Sequence, residues 1–243
     1  GMPVGVGLNV ITDKVGPMST FFLRGAGAFN MPLGKNGGTL GVGLDVGVIQ
    51  KRISSTWITP EPLIGTDPRI PDPTNPDFNK LSLDLGFGVF YQMPKIFYVG
   101  VSTSHLPAQS LKDGGLGFKV KRHYYFTGGA TIPVAGENGW LAVNPNVLYK
   151  TDFAGSALDL NLNLLWFKMF WVGGSYRLGD AGALLLGVQQ NFQQFTFRGG
   201  YSFDIATGKL ASYSKGSHEV MLGVCFAPKV KKQTSYSNDR YFE

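Results

Sequence analysis

Strict alternation of apolar and polar side chains is the feature of this 243-residue chain that most restricts its fold. In residues 157–167, large apolar side chains occupy every second position, and Asp159, Asn161 and Asn163 lie between them. Residues 217–226 repeat the pattern, with an apolar residue at every second position from Val220 to Phe226. Successive side chains of a strand point to opposite faces, so each stretch predicts a strand with one apolar face.

Twelve stretches of this kind follow one another along the chain and predict an all-β protein. A helical protein fits poorly, because 34 residues are glycine and each helical glycine costs about 1 kcal/mol. No run of eighteen apolar residues occurs, so no transmembrane helix is predicted. The predicted strands cover residues 3–12, 17–29, 38–51, 79–92, 96–104, 119–134, 139–150, 157–167, 169–178, 182–192, 195–206 and 217–226.

The connections between these strands alternate between two kinds. Every second connection belongs to a set that contains the long segments, and the connections between them are mostly tight turns. Outer-membrane barrels have longer loops outside and short turns in the periplasm. The alternation predicts a transmembrane antiparallel up-and-down β-barrel in the outer membrane, with its C-terminus in the periplasm. The first set comprises 52–78, 105–118, 151–156 and 207–216, with two short members, 13–16 and 179–181; the tight set includes 92–95, 135–139 and 191–194.

The second face of the predicted strands carries charges that a dry core would not hold, because an unpaired buried charge costs several kcal/mol. Either a barrel lumen or the solvent face of a soluble sandwich can hold these charges. Trp140, Trp166 and Trp171 lie near strand ends on the apolar face, as in the aromatic girdles of membrane barrels, although an ordinary core also contains large aromatics. In a barrel, the charges either form a self-neutralising wall or contact a partner in the lumen. These candidate lumen-facing contacts are Arg24, Asp45, Asp84, Asp159, Arg198, Asp204 and Glu219.

No arrangement typical of an enzyme, a metal centre or a cofactor site is found in the sequence. His105, His123 and His218 are dispersed, and no nucleophile elbow or phosphate-binding loop occurs. The loop of residues 66–80 spaces three aspartates regularly but lacks the EF-hand spacing, and it is interpreted as an extended, proline-stiffened loop. Much of the excess positive charge lies in the last residues rather than on one face, which argues against nucleic-acid binding. We therefore expect a non-catalytic protein.

Three segments are informative together: VGVGLNVITDKVGP near the start, FYVGVSTSHL at 97–106 and SFDIATGKLASYSKGSHEVMLGVCF at 202–226. Together they resemble the PorP/SprF family of Bacteroidetes outer-membrane proteins. The last segment is the most specific, with its loop of the type L-x-x-Y-S-x-G-S-H-E and a final strand that ends in an aromatic residue. The resemblance implies a part in the type IX secretion and gliding machinery. There it implies partnership with a large secreted cell-surface adhesin, which the protein helps to export and to hold at the outer membrane.

The resemblance also bears on the domain organisation. Family members look longer, with a leader and further strands before the segment equivalent to VGVGLNVI, so about fourteen strands are expected in a full member, an even number. Residues 1–227 are expected to form the barrel without its first strands, and 228–243 a basic periplasmic tail. Pro228 favours ending the last strand, because proline donates no ladder hydrogen bond. The candidate tail contacts to periplasmic components are Lys229, Lys231, Lys232, Arg240, Tyr241 and Phe242.

Two other functions stay open at this point. A diffusion porin or hydrophobic-solute transporter of the outer membrane shares the barrel, but it needs an open lumen or a ligand cavity. A soluble carbohydrate-binding module would bury the apolar faces against a second sheet. The expected partners of the preferred interpretation are the adhesin polypeptide, components of the secretion machinery and membrane lipid.

Overall fold

Wherever the structure describes it, the chain folds almost entirely into strands. A computed structural model describes residues 3–33, 37–53, 78–113, 116–135, 140–192, 195–208, 211–212 and 214–226. Regular secondary structure within these ranges consists of strands, as the alternation predicts. Across the same ranges, no helix has the length and the apolar character to span a membrane.

Fifteen strands are present in the described residues, most of them long. In chain order they are β1 (Val4–Val15), β2 (Met18–Leu33), β3 (Gly38–Ile53), β4 (Phe78–Met93), β5 (Phe97–Ser104), β6 (Ser110–Asp113), β7 (Leu116–Lys119), β8 (His123–Ala130), β9 (Ile132–Ala135), β10 (Leu141–Thr151), β11 (Ser156–Trp166), β12 (Phe170–Arg177), β13 (Ala181–Asn191), β14 (Phe195–Ala206) and β15 (Ser217–Phe226).

One antiparallel meander contains all of these strands except β6 and β7. It runs β1-β2-β3-β4-β5-β8-β10-β11-β12-β13-β14-β15, with β9 paired beside β10. The predicted all-β, up-and-down antiparallel arrangement is confirmed. β1 and β15 are the two edges, and no pairing joins them among the described residues, so the sheet is open along this line. The two edge strands run in opposite directions, because the path between them contains an even number of strands; antiparallel closure requires this relation.

The structure departs from the sequence prediction between residues 105 and 135. The single strand predicted over 119–134 is two pieces, β8 and β9, on either side of Thr131, whose N–H donates to the carbonyl of Ile96 (2.8 Å). Residues 105–118, predicted as a loop, contain the hairpin of β6 and β7. Each of these two strands is four residues long, too short for alternation to reveal.

The connections lie at two ends of the sheet, as the meander requires. At the "loop end" lie the strand ends that join β1 to β2, β3 to β4, β5 to β8, β10 to β11, β12 to β13 and β14 to β15. At the "turn end" lie those that join β2 to β3, β4 to β5, β9 to β10, β11 to β12 and β13 to β14. All members of the long set therefore lie at one end of the sheet and all tight turns at the other. The predicted segregation of the connections is confirmed.

Burial is inverted relative to a soluble domain. Leu160, Leu162 and Leu222 are exposed on what we call the apolar face, whereas Asp84 on the opposite polar face is only 1% exposed. These leucines therefore share the exposed face of one sheet, and no second layer of described residues covers them. Polar residues also dominate the buried positions: Thr20, Ser82, Asp84, Ser104, Thr151 and Ser202, beside Ile49, Ile53, Leu111 and Ala142.

Trp171 does not lie on the apolar face, and its assignment from sequence was wrong. Exposure alternates along β12, with Phe170 and Val172 exposed and Trp171 partly covered between them. Trp171 is registered with Gly187, where a Cβ would overlap the indole ring. Its indole therefore lies on the polar face over Gly187, which has no side chain. Trp140 and Trp166 are exposed, at 44% and 53%.

Candidate functional site

The polar face contains an ion pair that spans three strands. Gly47 on β3 is registered between Arg24 on β2 and Asp84 on β4. A Cβ on Gly47 would lie 2.6 Å from Arg24 Cγ, much closer than a carbon–carbon contact of about 3.5–4.0 Å. Because that Cβ is missing, Arg24 crosses β3 and its Nη2 lies 2.6 Å from Asp84 Oδ2. Two predicted polar-face residues are thereby brought together.

His105 is the second partner of Asp84. Its Nδ1 lies 2.9 Å from Asp84 Oδ1, so each carboxylate oxygen faces a different partner. His105 directly follows β5 and has a left-handed φ of 58°, at the point where the chain leaves the strand direction. The ring of His123 meets it edge-on, with 5.4 Å between the centroids. Neither histidine was assigned a role from sequence, because their proximity depends on the pairing of β5 with β8.

Asp45 uses a glycine in the same way but has no cationic partner in the described residues. Its carboxylate lies over Gly86, its register partner on β4, where a Cβ would overlap it. Asp45 Oδ1 is buried and has no hydrogen-bond partner among the residues described. The buried Ser104 Oγ is in the same situation. Among the described residues, the Asp45 carboxylate on the polar face thus has no partner that neutralises it.

Asparagines form a neutral hydrogen-bonded ladder farther along this face. Asn161 Oδ1 accepts from Asn146 Nδ2 (3.0 Å) and from Asn163 Nδ2 (2.7 Å). Tyr98 donates its hydroxyl to Asn146 Oδ1 (2.9 Å) across Gly129, the residue registered between them. The ladder ties β5, β10 and β11 together through amides rather than charges.

Asp159 is held by two cations that the sequence did not single out. Lys150 Nζ lies 2.8 Å and Arg177 Nε 2.7 Å from its carboxylate oxygens. Arg177 also contacts Asp180 at 3.3 Å. Lys150, Asp159 and Arg177 lie near the loop end of three neighbouring strands, and alternation places all three on the polar face. That shared position was a usable signal, but only register shows that they touch.

Asp204 and Glu219 come together on β14 and β15, whereas Arg198 does not join them. Ser202 Oγ lies 3.2 Å from Asp204 Oδ1 and 3.3 Å from Glu219 Oε2. Arg198 is exposed and registered with Gln189 and Gly223, nearer the turn end. Neither acid has an ion-pair partner within the described ranges, so a fully self-neutralising wall does not describe this part of the face.

A hairpin from the loop end covers part of the polar face. We call residues 105–113 and 116–122, with β6 and β7, the loop-end hairpin. Leu106 N–H donates to the Leu85 carbonyl (3.0 Å), and Ser82 Oγ donates to Gln109 Oε1 (2.5 Å). Leu111, 8% exposed, packs against Ile53 at the end of β3. The hairpin therefore rests on β3 and β4.

A second contact joins the C-terminal end of the loop-end hairpin to the loop between β10 and β11. Lys121 Nζ donates to Asp152 Oδ2 (3.0 Å), and the backbone N–H groups of Ala154 and Gly155 donate to Asp152 Oδ1. The bond from Lys121, followed by those backbone donors, lowers the pKa of Asp152 from 3.8 to about 2. Asp152 lies outside the strands and was not assigned a role from sequence.

The predicted tail contacts lie outside the described residues: Lys229, Lys231, Lys232, Arg240, Tyr241 and Phe242. The aspartates of the loop 66–80 before residue 78 also lie outside them. Within the part of the chain that is described, no group of three or more His, Cys, Asp or Glu side chains is placed to hold a metal ion.

Comparison of the sequence with models of known protein families gives a match. The family model described as "Type IX secretion system membrane protein PorP/SprF" matches residues 2–224, from the start of β1 almost to the end of β15. No curated protein matches the chain.

Proposed function

We propose, because this chain belongs to the PorP/SprF family of type IX secretion system membrane proteins, that it is an integral outer-membrane β-barrel that helps to export and anchor a large secreted cell-surface adhesin. The role is non-catalytic. The adhesin is held in or at the lumen that the polar face lines. Display of such adhesins for gliding is the physiological setting of this proposal.

The inverted burial of the sheet carries the proposal. Leu222 is 75% and Val6 89% exposed, and burying apolar surface gains about 25 cal/mol for each Å² removed from water. Membrane lipid is the partner that covers such a face along its whole length. Aromatic side chains mark its turn-end border, where Trp166 is registered with Phe170 and Phe195 with Phe226. This supports the turn end as a membrane–water interface.

Carboxylates without ion-pair partners support a binding role for the polar face. Asp45, Asp204 and Glu219 form no ion pair within the described ranges, and Asp45 Oδ1 is buried without a hydrogen bond there. A basic polypeptide segment in the lumen would neutralise them. The proposed lumen-facing partner contacts remain Arg24, Asp45, Asp84, Asp159, Arg198, Asp204 and Glu219, among which Arg24, Asp84 and Asp159 already have internal partners.

The loop-end hairpin supports polypeptide binding over free diffusion. A porin or a hydrophobic-solute transporter needs a lumen through which solute passes unaided. Gln109 and Leu111 lie on the polar face at the loop end, and in a closed barrel they would narrow the lumen. A secretion component that engages one polypeptide does not need a permanently open channel.

The tail of residues 228–243 completes the proposal. We place it in the periplasm, at the turn end where β15 finishes, with Phe226 at the rim. Its basic stretch and terminal aromatics would contact periplasmic components of the secretion machinery. The barrel domain then comprises residues 1–227.

Adhesin display in a strain that lacks this protein tests the function. Cells without it should lose the adhesin from their surface, and the wild-type chain should restore it. The triple variant Asp45→Asn, Asp204→Asn, Glu219→Gln should insert into the outer membrane but restore display poorly. Asp180→Asn, an acid at the loop end, is the matched control. Normal display in the null strain, or passage of small solutes without any effect on display, would favour the porin.

A further inference from the structure

We propose that the loop-end hairpin is a displaceable occupant of a polypeptide-docking surface on the polar face of β3 and β4. The incoming segment of the secreted partner takes the place of the hairpin. The inference rests on the proposed function and deepens it by naming the surface and the chemistry of the segment that fits there.

The contacts of the hairpin identify the surface. Three anchors lie along β4: the Leu85 carbonyl, the Asp84 carboxylate and the Ser82 hydroxyl, which meet Leu106, His105 and Gln109 in turn. At the loop end, Leu111 packs on Ile53, and Lys51 Nζ lies 5.0 Å from the centroid of the Phe118 ring. The surface thus offers a backbone acceptor, a carboxylate, a hydroxyl and an apolar end in a line.

The mode of attachment makes the hairpin replaceable. β6 and β7 pair with each other and form a sheet separate from the meander. Within the described residues, the hairpin touches the polar face through single contacts rather than a continuous ladder. Removing it would leave the hydrogen bonds of the meander intact. Because the loop-end hairpin adds no strand to the meander, it can leave without unfolding the meander.

The contacts of the loop-end hairpin also indicate which kind of segment can replace it. Asp84 is 1% exposed, and a buried carboxylate that loses a partner is strongly destabilising unless another group takes its place. The competing segment must therefore bring a basic or imidazole side chain to the position of His105. It also needs an extended backbone and apolar side chains for the positions of Leu111 and Phe118. An extended segment that alternates basic and apolar residues meets these requirements.

Locking the hairpin in place tests the proposal. Lys51→Cys and Phe118→Cys, in a Cys225→Ser background that removes the free cysteine, are bridged by a short bis-methanethiosulfonate reagent that dithiothreitol cleaves. We expect loss of adhesin display while the bridge is intact and recovery after reduction. The matched control is Asn191→Cys with Thr196→Cys, a registered pair across a turn-end hairpin, whose bridging should leave display unchanged.

Each outcome separates the two proposals. Equal display by bridged and reduced Lys51→Cys/Phe118→Cys protein would overturn the displaceable hairpin while leaving the proposed function intact. If the unbridged variant restores no display, conductance of the purified protein in planar bilayers decides. Leu111→Ser, which weakens the apolar anchor, should raise conductance above wild type, and the bridge should lower it. If neither Leu111→Ser nor the bridge changes the conductance, the inference is overturned.

Discussion

Arg24 and Asp84 belong to strands that are not neighbours, yet Arg24 Nη2 lies 2.6 Å from Asp84 Oδ2. The residue between them is Gly47. Their contact therefore depends on an atom that is missing from the intervening strand. Gly129 between Tyr98 and Asn146 repeats the relation, and Gly86 likewise leaves room for the side chain of Asp45. Glycines on the polar face of this sheet thus act as crossing points for the side chains of adjacent strands.

Gly47→Ala should destabilise the protein by about 1–3 kcal/mol, the usual cost of an overpacked position. The new methyl group would meet the Leu23 carbonyl and the backbone of Arg24, which cannot move aside easily. The free energy of unfolding from a urea titration in lipid vesicles measures the effect. Gly27→Ala is the control, because nothing lies within 4 Å of the position that its new methyl group would take. Equal losses for both variants would contradict the crossing role of Gly47.

Asp84→Ala should cost about 3 kcal/mol or more, because it leaves Arg24 without its buried partner. The double variant Arg24→Met with Asp84→Leu should cost less than Asp84→Ala alone, since no uncompensated charge remains. The double-mutant cycle of Arg24→Met, Asp84→Leu and the two combined, on unfolding free energies, measures the coupling. Additive losses would mean that the 2.6 Å contact contributes nothing to stability.

Leu160→Arg should destabilise the membrane-inserted protein by about 2–4 kcal/mol if the site lies near the bilayer midplane. Leu160 is on the apolar face and 45% exposed. Ser175→Arg on the adjacent strand should cost far less, because Ser175 lies on the polar face. Refolding titrations of both variants into vesicles provide the comparison. A similar cost at both positions would refute the assignment of the faces.

The Lys121–Asp152 contact should stabilise the protein in a pH-dependent way. The pKa of Asp152 is lowered in the fold from 3.8 to about 2, so its contribution is complete above the unfolded value. It is lost as the pH falls from about 4 through about 2. Urea midpoints of the wild type and Asp152→Asn should therefore differ by a constant amount at neutral pH and converge at the acidic end. A difference that persists unchanged below pH 2 would argue against this assignment.

Deletion of residues 229–243 should leave insertion of the barrel intact and reduce adhesin display. The segment lies beyond Phe226, where β15 ends, and its removal leaves all fifteen described strands intact. Heat-modifiable gel mobility of membrane fractions reports insertion, and surface labelling of the adhesin reports display. Replacement of the segment by an uncharged linker of equal length is the control for length alone. Full display by a correctly inserted, tail-less protein would rule out the partner-docking role.

Sequence predicted the strands well where alternation extends over long stretches, and poorly where they are short. Residues 217–226 were predicted with the bounds of β15, and the segregation of the connections was also correct. β6 and β7 were missed, and one strand was predicted where β8 and β9 are separate. Trp171 was placed on the wrong face, because proximity to a strand end does not show to which face of the strand a side chain points. Among the candidate site residues, Asp159 was predicted without Lys150 and Arg177.

The sequence by itself determined which side chains share a face, because a strand repeats every two residues and this period is local. It therefore determined the all-β class, the apolar and polar faces and the two kinds of connection. Only the tertiary structure decided which polar residues meet, since that depends on register between strands far apart in the chain. Register brings Arg24 to Asp84 over Gly47 and leaves Asp45 without a cation among the described residues. Tertiary packing, rather than the alternation in the sequence, places the loop-end hairpin on β3 and β4.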